Sequence, residues 1–299
     1  DITQDVDSGA LGDDVKQTST EDANLAKDTG ADSHFMTTVP DDAYDDNPAA
    51  TSTETVDVTK IVASAKCEDM KFWSPDSPNL YDVYTVLKDS EGNVLDVQKT
   101  TTGFRKVEYD INDGGLKIND QPVWLTGYAQ RSTNEWAVIG VANDWLQDLD
   151  MQWIKESNSN FIRWMHVAPK PSQIRSGDKY GVVSACPAGD KEADVDGRAW
   201  DQRVEAMRDA MIYFRNSPSV IFWEAGNNAV TAAHQQEMTD LKNTLDPNGE
   251  RFCGCRTISS TDQIQAADYV GTMLNRHASN AKASMAAIKK YVPIMETEY

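Results

Sequence analysis

Two amide side chains, Asn227 and Asn228, follow Gly226 at the end of the stretch NSPSVIFWEAGNN, residues 216–228. Asn216, Ser217 and Pro218 are turn formers, and Pro218 forbids helix continuation. Residues 219–225 are a short, mostly apolar run of strand formers that suits a parallel strand buried on both faces. In a barrel of parallel strands, the residues just past the strand carboxyl ends carry the chemistry. Gly226-Asn227-Asn228 therefore reads as a site, with Glu224 the nearest carboxylate upstream. A second group stands at the end of another strand, in NFIRWMH (160–166): Arg163, Trp164 and His166. Flat indole rings suit sugars, which stack on them, although most tryptophans of a chain serve its core. Trp164 and Trp136 are the platforms to consider, each equally suited to the core.

The elements that must position these groups change character along the chain. Residues 1–50 hold 13 Asp or Glu and 2 Lys, a net of −11, with Phe35 and Tyr44 as their aromatics. Such a segment buries little surface and is expected to be disordered or a remnant of a domain. Within residues 51–110, TETVDVTKIVAS alternates apolar and polar positions; Leu80-Tyr81 with Val83 to Leu87, and Val94 to Thr100, flank the turn Ser90–Asn93 as a hairpin, and a small immunoglobulin-like antiparallel β-sandwich fits. From 111 to 299 strands alternate with helices. Strands are expected at 122–127, 160–166, 180–185, 219–225, 251–259, 268–272 and 292–299. Asp144 with Gln147 resembles a capping box, with Leu146, Leu149 and Trp153 as the apolar stripe of its helix. Trp200, Val204, Met207, Met211 and Phe214 mark a second amphipathic helix, and 234–245 and 281–291 two more. Alternation of this kind means a parallel sheet. The fold class expected is α/β: an incomplete (β/α)8 TIM barrel through strand seven, with open edges at strands one and seven.

Composition narrows the partners. The 299 residues are 39% hydrophobic, enough for a core, and carry a net charge of −20. Nucleic acid and anionic membrane surfaces are poor partners for such a chain. No run approaches the ~18 apolar residues of a membrane span. The four cysteines lack metal-ligand spacing and are expected to be free thiols. His234 and His277 read as surface residues.

Taken in order, WSPDSPNLY (73–81), GFRKVE (103–108), QPVWLTG, NFIRWMH, DKYG (178–181), MRDAMIYFRNSPSVIFWEAGNN and PIMETEY resemble glycoside hydrolase family 2, over roughly residues 70–299. That family includes β-galactosidases, β-glucuronidases and β-mannosidases, and GYAQRSTNEW, RWMHV and PAGD look most like a branch of the β-galactosidases. The resemblance implies a retaining β-glycosidase acting on terminal β-linked sugars of an oligosaccharide, with two carboxyl groups about 5–5.5 Å apart across the glycosidic bond. It maps the nucleophile onto Glu298 in PIMETEY, with Glu296 as second choice. It maps Arg163 and His166 onto an Arg-x-x-His that shapes the pocket, and Asn227 onto an asparagine that binds the sugar hydroxyl beside the scissile bond. It also implies Mg²⁺ or Na⁺ near the acid/base, with no ligands assigned here. A periplasmic or secreted location is favoured over the cytoplasm, and a homo-oligomer is left open.

One position departs from the family. The acid/base glutamate that should follow Gly226-Asn227 is Asn228. An amide cannot deliver a proton, and general acid catalysis is worth about 10²–10⁴-fold. Three explanations stand side by side. Glu224 supplies the proton, although along a regular strand its Cα would lie roughly 13 Å deeper. Alternatively Glu237, Asp190 or Glu192 brings a carboxyl group in from a neighbouring loop. Or the chain is a glycan-binding pseudo-enzyme or an inactive fragment.

Overall fold

The computed structural model describes residues 26–28, 58–60, 63, 66–110, 112–113, 115–131, 143–189, 193–257, 260–272 and 292–296. The chain divides into two compact units, Asp1–Met70 with Val83–Lys99, and Lys71–Asp82 with Thr100–Tyr299. In the first unit Ala26–Asp28 pairs antiparallel with Val58–Lys60. The same unit holds the tip of the hairpin formed by Tyr81–Lys88 and Val94–Thr102. There Asp89 accepts from the backbone of Glu91 and Asn93 at 2.9 and 2.8 Å, closing the expected turn.

The second unit contains seven parallel strands in sequential order. They are β1 (Gly127–Arg131), β2 (Phe161–Met165), β3 (Val183–Pro187), β4 (Val220–Glu224), β5 (Phe252–Cys255), β6 (Tyr269–Thr272) and β7 (Ile294–Glu296). Between them lie α1 (Asp144–Glu156), α2 (Pro171–Tyr180), α3 (Arg198–Phe214), α4 (Ala232–Leu245) and α5 (Thr261–Ala266). This is an incomplete TIM barrel preceded by small antiparallel sheets. None of the helices among the described residues is long and apolar enough to cross a membrane.

Strand parity sorts the side chains into two layers. Ile162, Trp164, Cys186, Trp223, Cys253 and Cys255 join Met207, Met211 and Phe214 of α3 in the layer between strands and helices. Phe161, Val183, Ala185, Phe222 and Tyr269 form the inner cluster. The register between β3 and β4 shifts between Ser184 and Ala185, so Ile221 is an extra residue on β4 and joins Phe222 in the inner cluster. Such a bulge re-aims the residues after it: Trp223 packs outward and Glu224 inward.

Several sequence expectations are corrected. The first barrel strand is Gly127–Arg131, not 122–127. Asn119 and Asp120 both take positive φ, 53° and 64°. They make a two-residue hairpin turn that pairs Ile118 with Gln121, so Gln121–Pro122 joins an antiparallel sheet with Gly115–Ile118 and Val107–Asp110. Pro122, lacking an N–H, is at home on such an edge and not inside a parallel sheet. The third strand begins at Val183 because α2 runs to Tyr180 and ends on Gly181 in the left-handed region at φ 73°. Asn143, not Asp144, is the N-cap of α1, whose buried stripe is Gln147, Met151 and Ile154 while Trp153 is exposed. Helix α5, capped by Ser260 accepting from the backbone N–H of Gln263, was not expected. The helix expected at 281–291 lies outside the described residues.

Residues just before the barrel brace the lower end of β4. Trp73, fully buried, donates its indole N–H to the Asp178 carbonyl at 2.8 Å. Thr102 donates to the carbonyl of Asn216 at 2.7 Å. Arg105 donates to the carbonyls of Pro218, Val220 and Gly249 at 2.6, 2.9 and 3.1 Å. The turn residues 216–219 are thus held from outside the sheet. Asp178 completes the brace by accepting from the Ser219 backbone at 2.9 Å.

Burial pushes the Asp178 carboxyl up from 3.8 to about 6, against the Ser219 hydrogen bonds that lower it. A carboxyl group raised in the folded state holds its proton better than in the unfolded chain. Its contribution to stability is therefore fullest below pH 3.8 and falls as pH rises towards 6. Asp178→Asn removes that fall. The stability difference, variant minus parent, should increase between pH 4 and pH 6.5, read from urea denaturation midpoints at fixed salt; a flat or decreasing difference contradicts the assignment.

Candidate active site

The polar centre of the barrel is built from the carboxyl ends of β2 and β4. Arg163 is the third residue of β2, so it shares the inward face with Phe161. Its Nε donates to Glu224 Oε2 at 2.8 Å and an Nη to Glu224 Oε1 at 2.5 Å. The same Nη donates to Asn227 Oδ1 at 2.9 Å. Arg163 and Glu224 are each 1% exposed. Two charges at that depth persist because a bidentate fork satisfies both carboxylate oxygens.

The strand ends at Glu224 and the chain turns through residues 225–228. Glu224 and Asn227 consequently meet on one guanidinium, and the roughly 13 Å offset of a regular strand does not apply here. Both oxygens of Glu224 are nonetheless engaged by Arg163.

Asn228 lies at the same mouth and is half-buried. Its Oδ1 accepts from an Nη of Arg256 at 2.7 Å, while Arg256 Nε donates to the Asn227 carbonyl, also at 2.7 Å. Arg256, just past β5, was not singled out from the sequence, where RFCGCRTIS signalled a strand and nothing more. Tyr269 was missed as well. It is fully buried on β6, and its ring crosses Gly254, where an added Cβ would meet the ring at 2.6 Å. Gly254 was the available signal, since an interior strand glycine marks a close approach. Burial and then the nearby Glu224 charge raise the Tyr269 phenol well above its ordinary value, so it stays a neutral hydroxyl.

The remaining expected residues take other places. His166 is buried just past β2. Trp164 is corrected: it is fully buried in the layer between strands and helices, with its indole N–H 3.3 Å from Ser184 Oγ. Parity explains this, because the neighbour of an inward Arg163 must face outward. Trp164 is core and offers no face to a sugar. Glu237, on α4, accepts from the Trp200 indole at 2.7 Å. His234 is half-buried; its ring stacks on Trp200 with centroids 3.8 Å apart, and Nδ1 lies 2.9 Å from the Asp194 carboxylate. Glu298, Asp190, Glu192, Trp136 and His277 lie outside the described residues. The side chain of Glu296, the last residue of β7, is outside them too.

The described residues at this mouth form no site for the implied Mg²⁺ or Na⁺. Among the described residues no three His, Cys, Asp or Glu side chains come together, and the group against Asn228 is a guanidinium, which donates hydrogen bonds and cannot ligate a cation.

A parallel barrel with its polar groups gathered past the carboxyl ends of two strands has the layout of a barrel enzyme. Comparison with known proteins gives the family. Family models described as glycosyl hydrolases family 2, and as the TIM barrel domain of that family, match residues 3–105 and 109–299. The chain belongs to glycosyl hydrolase family 2. A β-glucuronidase of Formosa agariphila is 36% identical over 198 residues, 66% of this chain and 20% of that protein. A β-galactosidase of Photobacterium profundum is 28% identical over 188 residues, 59% of this chain and 18% of that protein. Among solved structures, a family 2 β-glucuronidase superposes with a TM-score of 0.67 at 31% identity, covering 79% of this chain and 24% of that one. The chain thus spans about a fifth of the length of the curated relatives it matches.

The buried pair yields a stability test. Removing one member of a buried ion pair strands the other charge and costs about 3–5 kcal/mol. Arg163→Met should therefore destabilise the chain by about that amount, and adding Glu224→Leu should recover most of it. A double-mutant cycle by urea denaturation checks this; additive losses would show the two residues to be independent.

Proposed function

We propose that this protein is a retaining β-glycosidase that removes terminal β-linked sugars from oligosaccharides. The observation that carries the reading is the Arg163–Glu224–Asn227 constellation at the mouth of a family 2 barrel. Arg163 fixes the Asn227 amide with its oxygen inward, leaving the Asn227 NH₂ to bind the sugar hydroxyl beside the scissile bond. Glu298, two residues beyond β7 in sequence, is the nucleophile: it attacks the anomeric carbon, the aglycone leaves, and water then releases the sugar with retention. The relative at 36% identity is named a β-glucuronidase and that at 28% a β-galactosidase. This puts β-glucuronides ahead of the β-galactosides that the motifs suggest, and both belong in the assay.

Asn228 supports a second reading. Held by Arg256, it offers no transferable proton, and a glycan-binding pseudo-enzyme would have the same cleft. Substrate choice separates the two. A dinitrophenolate departs without a proton, whereas a sugar alkoxide needs one. The enzyme reading predicts hydrolysis of dinitrophenyl β-glycosides with net retention, seen by NMR of the first-formed anomer. It also predicts that Glu298→Gln lowers the rate on the order of 10³-fold or more while sugar binding persists. Binding of both sugars with no turnover of the dinitrophenyl substrate would establish the pseudo-enzyme instead.

A further inference from the structure

The end of β5 holds the Gly226–Asn228 loop by each of its three backbone carbonyls. Arg256 donates its backbone N–H to Gly226 at 3.2 Å and its Nε to the Asn227 carbonyl at 2.7 Å. The Cys255 thiol lies 2.9 Å from the Gly226 and Asn228 carbonyls. Burial, and then the Glu224 charge, push that thiol up to about 12, so it remains an S–H donor. Arg256 Nη also meets the side-chain carbonyl of Asn228 at 2.7 Å. Arg256 is itself 8% exposed, and its backbone is pressed against β6: an added Cβ at Gly271 would lie 2.5–2.9 Å from Arg256 main-chain atoms. The guanidinium is therefore presented from a rigid base.

A guanidinium has only donors, so the Asn228 atom facing it is the oxygen. The amide nitrogen is turned away and has no hydrogen-bond partner among the described residues. We propose that Arg256 is a positioning residue that fixes Asn228 as a hydrogen-bond donor to the substrate, and that residues 228 and 256 act as a matched pair. The pair excludes a proton donor at this position. A carboxyl group placed at 228 would meet the guanidinium, which favours its ionised form, and an ionised carboxylate has no proton to give. The inference rests on the glycosidase reading for the identity of the ligand; the pairing itself rests on the geometry.

Two measurements on the whole chain test it. The first is the side-chain amide spectrum by nitrogen–proton NMR, with the Asn228 pair identified by its disappearance in Asn228→Asp. In the parent this pair should stand apart from exposed asparagines and should move to their position in Arg256→Met. In Arg256→Lys, which keeps the charge but loses the fork, it should move part of the way. A parent pair already at the exposed position overturns the proposal, whether or not the Arg256 variants fold. The second is steady-state hydrolysis of aryl β-glucuronides and β-galactosides with good and poor leaving groups. Asn228→Glu alone should give no gain on the poor substrates, because the paired carboxylate has no proton to give and no donor to offer. Asn228→Glu with Arg256→Met should gain about 10²–10⁴-fold on them, the worth of a general acid, together with a new fall in rate on the alkaline side of the pH profile. Equal gains by the single and double variants overturn the pairing. If the parent hydrolyses none of these substrates, the glycosidase reading fails while the amide spectrum still decides the role of Arg256.

Discussion

The chemistry of this barrel depends on how one buried cation is compensated. Arg163 lies 1% exposed inside a sheet whose neighbouring inward side chains are Phe161, Phe222 and Tyr269. An isolated guanidinium there would be untenable. Glu224 makes it tenable, but only by committing both of its oxygens. The ends of β2 and β4 are thereby tied to each other through side chains as well as through the sheet. The remaining reach of the guanidinium orients Asn227. Structural and functional demands meet in one ion pair, and the carboxylate nearest the site in sequence is consumed by the first of them.

The strand that brings Glu224 to this point is itself over-determined. At its lower end Arg105 and Thr102 hold the carbonyls of residues 216, 218 and 220, and Arg251 donates to those of Ser217 and Val220. At its upper end Cys255 and Arg256 hold the carbonyls of residues 226–228. Between the two, the extra residue Ile221 sets which side of the sheet Glu224 faces. Backbone carbonyls in a turn have no ladder partners of their own and must be satisfied from elsewhere. Here arginines from neighbouring segments do so, and the loop that carries the amides is fixed as a consequence.

Much of this was legible in the sequence, for identifiable reasons. The run Val220–Glu224 combines β-branched and aromatic residues between turn formers, and α3 repeats its apolar residues at 3.6-residue spacing; both patterns are local, and both elements formed where expected. The first barrel strand was misplaced because Asn119-Asp120 made a hairpin turn that claimed Pro122. Trp164 was misread because residue type suggested a sugar platform while strand parity, set by Arg163, sent it into the core. Glu224 was legible as a carboxylate near the site, but its bond to a residue 61 positions away was not. Arg256 and Tyr269 were missed for the same reason. Their importance comes from pairing across strands, Gly254 opposite Tyr269 and Arg256 beside the β4 loop, and no periodicity in one segment reports a partner in another.

The arrangement has a chemical consequence that composition alone hides. The chain carries a net charge of −20, yet the mouth of β4 is lined by hydrogen-bond donors. Arg163 and Arg256 each take the oxygen of one asparagine, so Asn227 and Asn228 both turn their NH₂ groups away from the protein's own cations. Adjacent donors without a transferable proton stabilise negative charge on a bound oxygen but cannot complete its departure. The β4 loop, residues 225–231, carries no carboxyl side chain of its own, and both oxygens of Glu224 are engaged by Arg163.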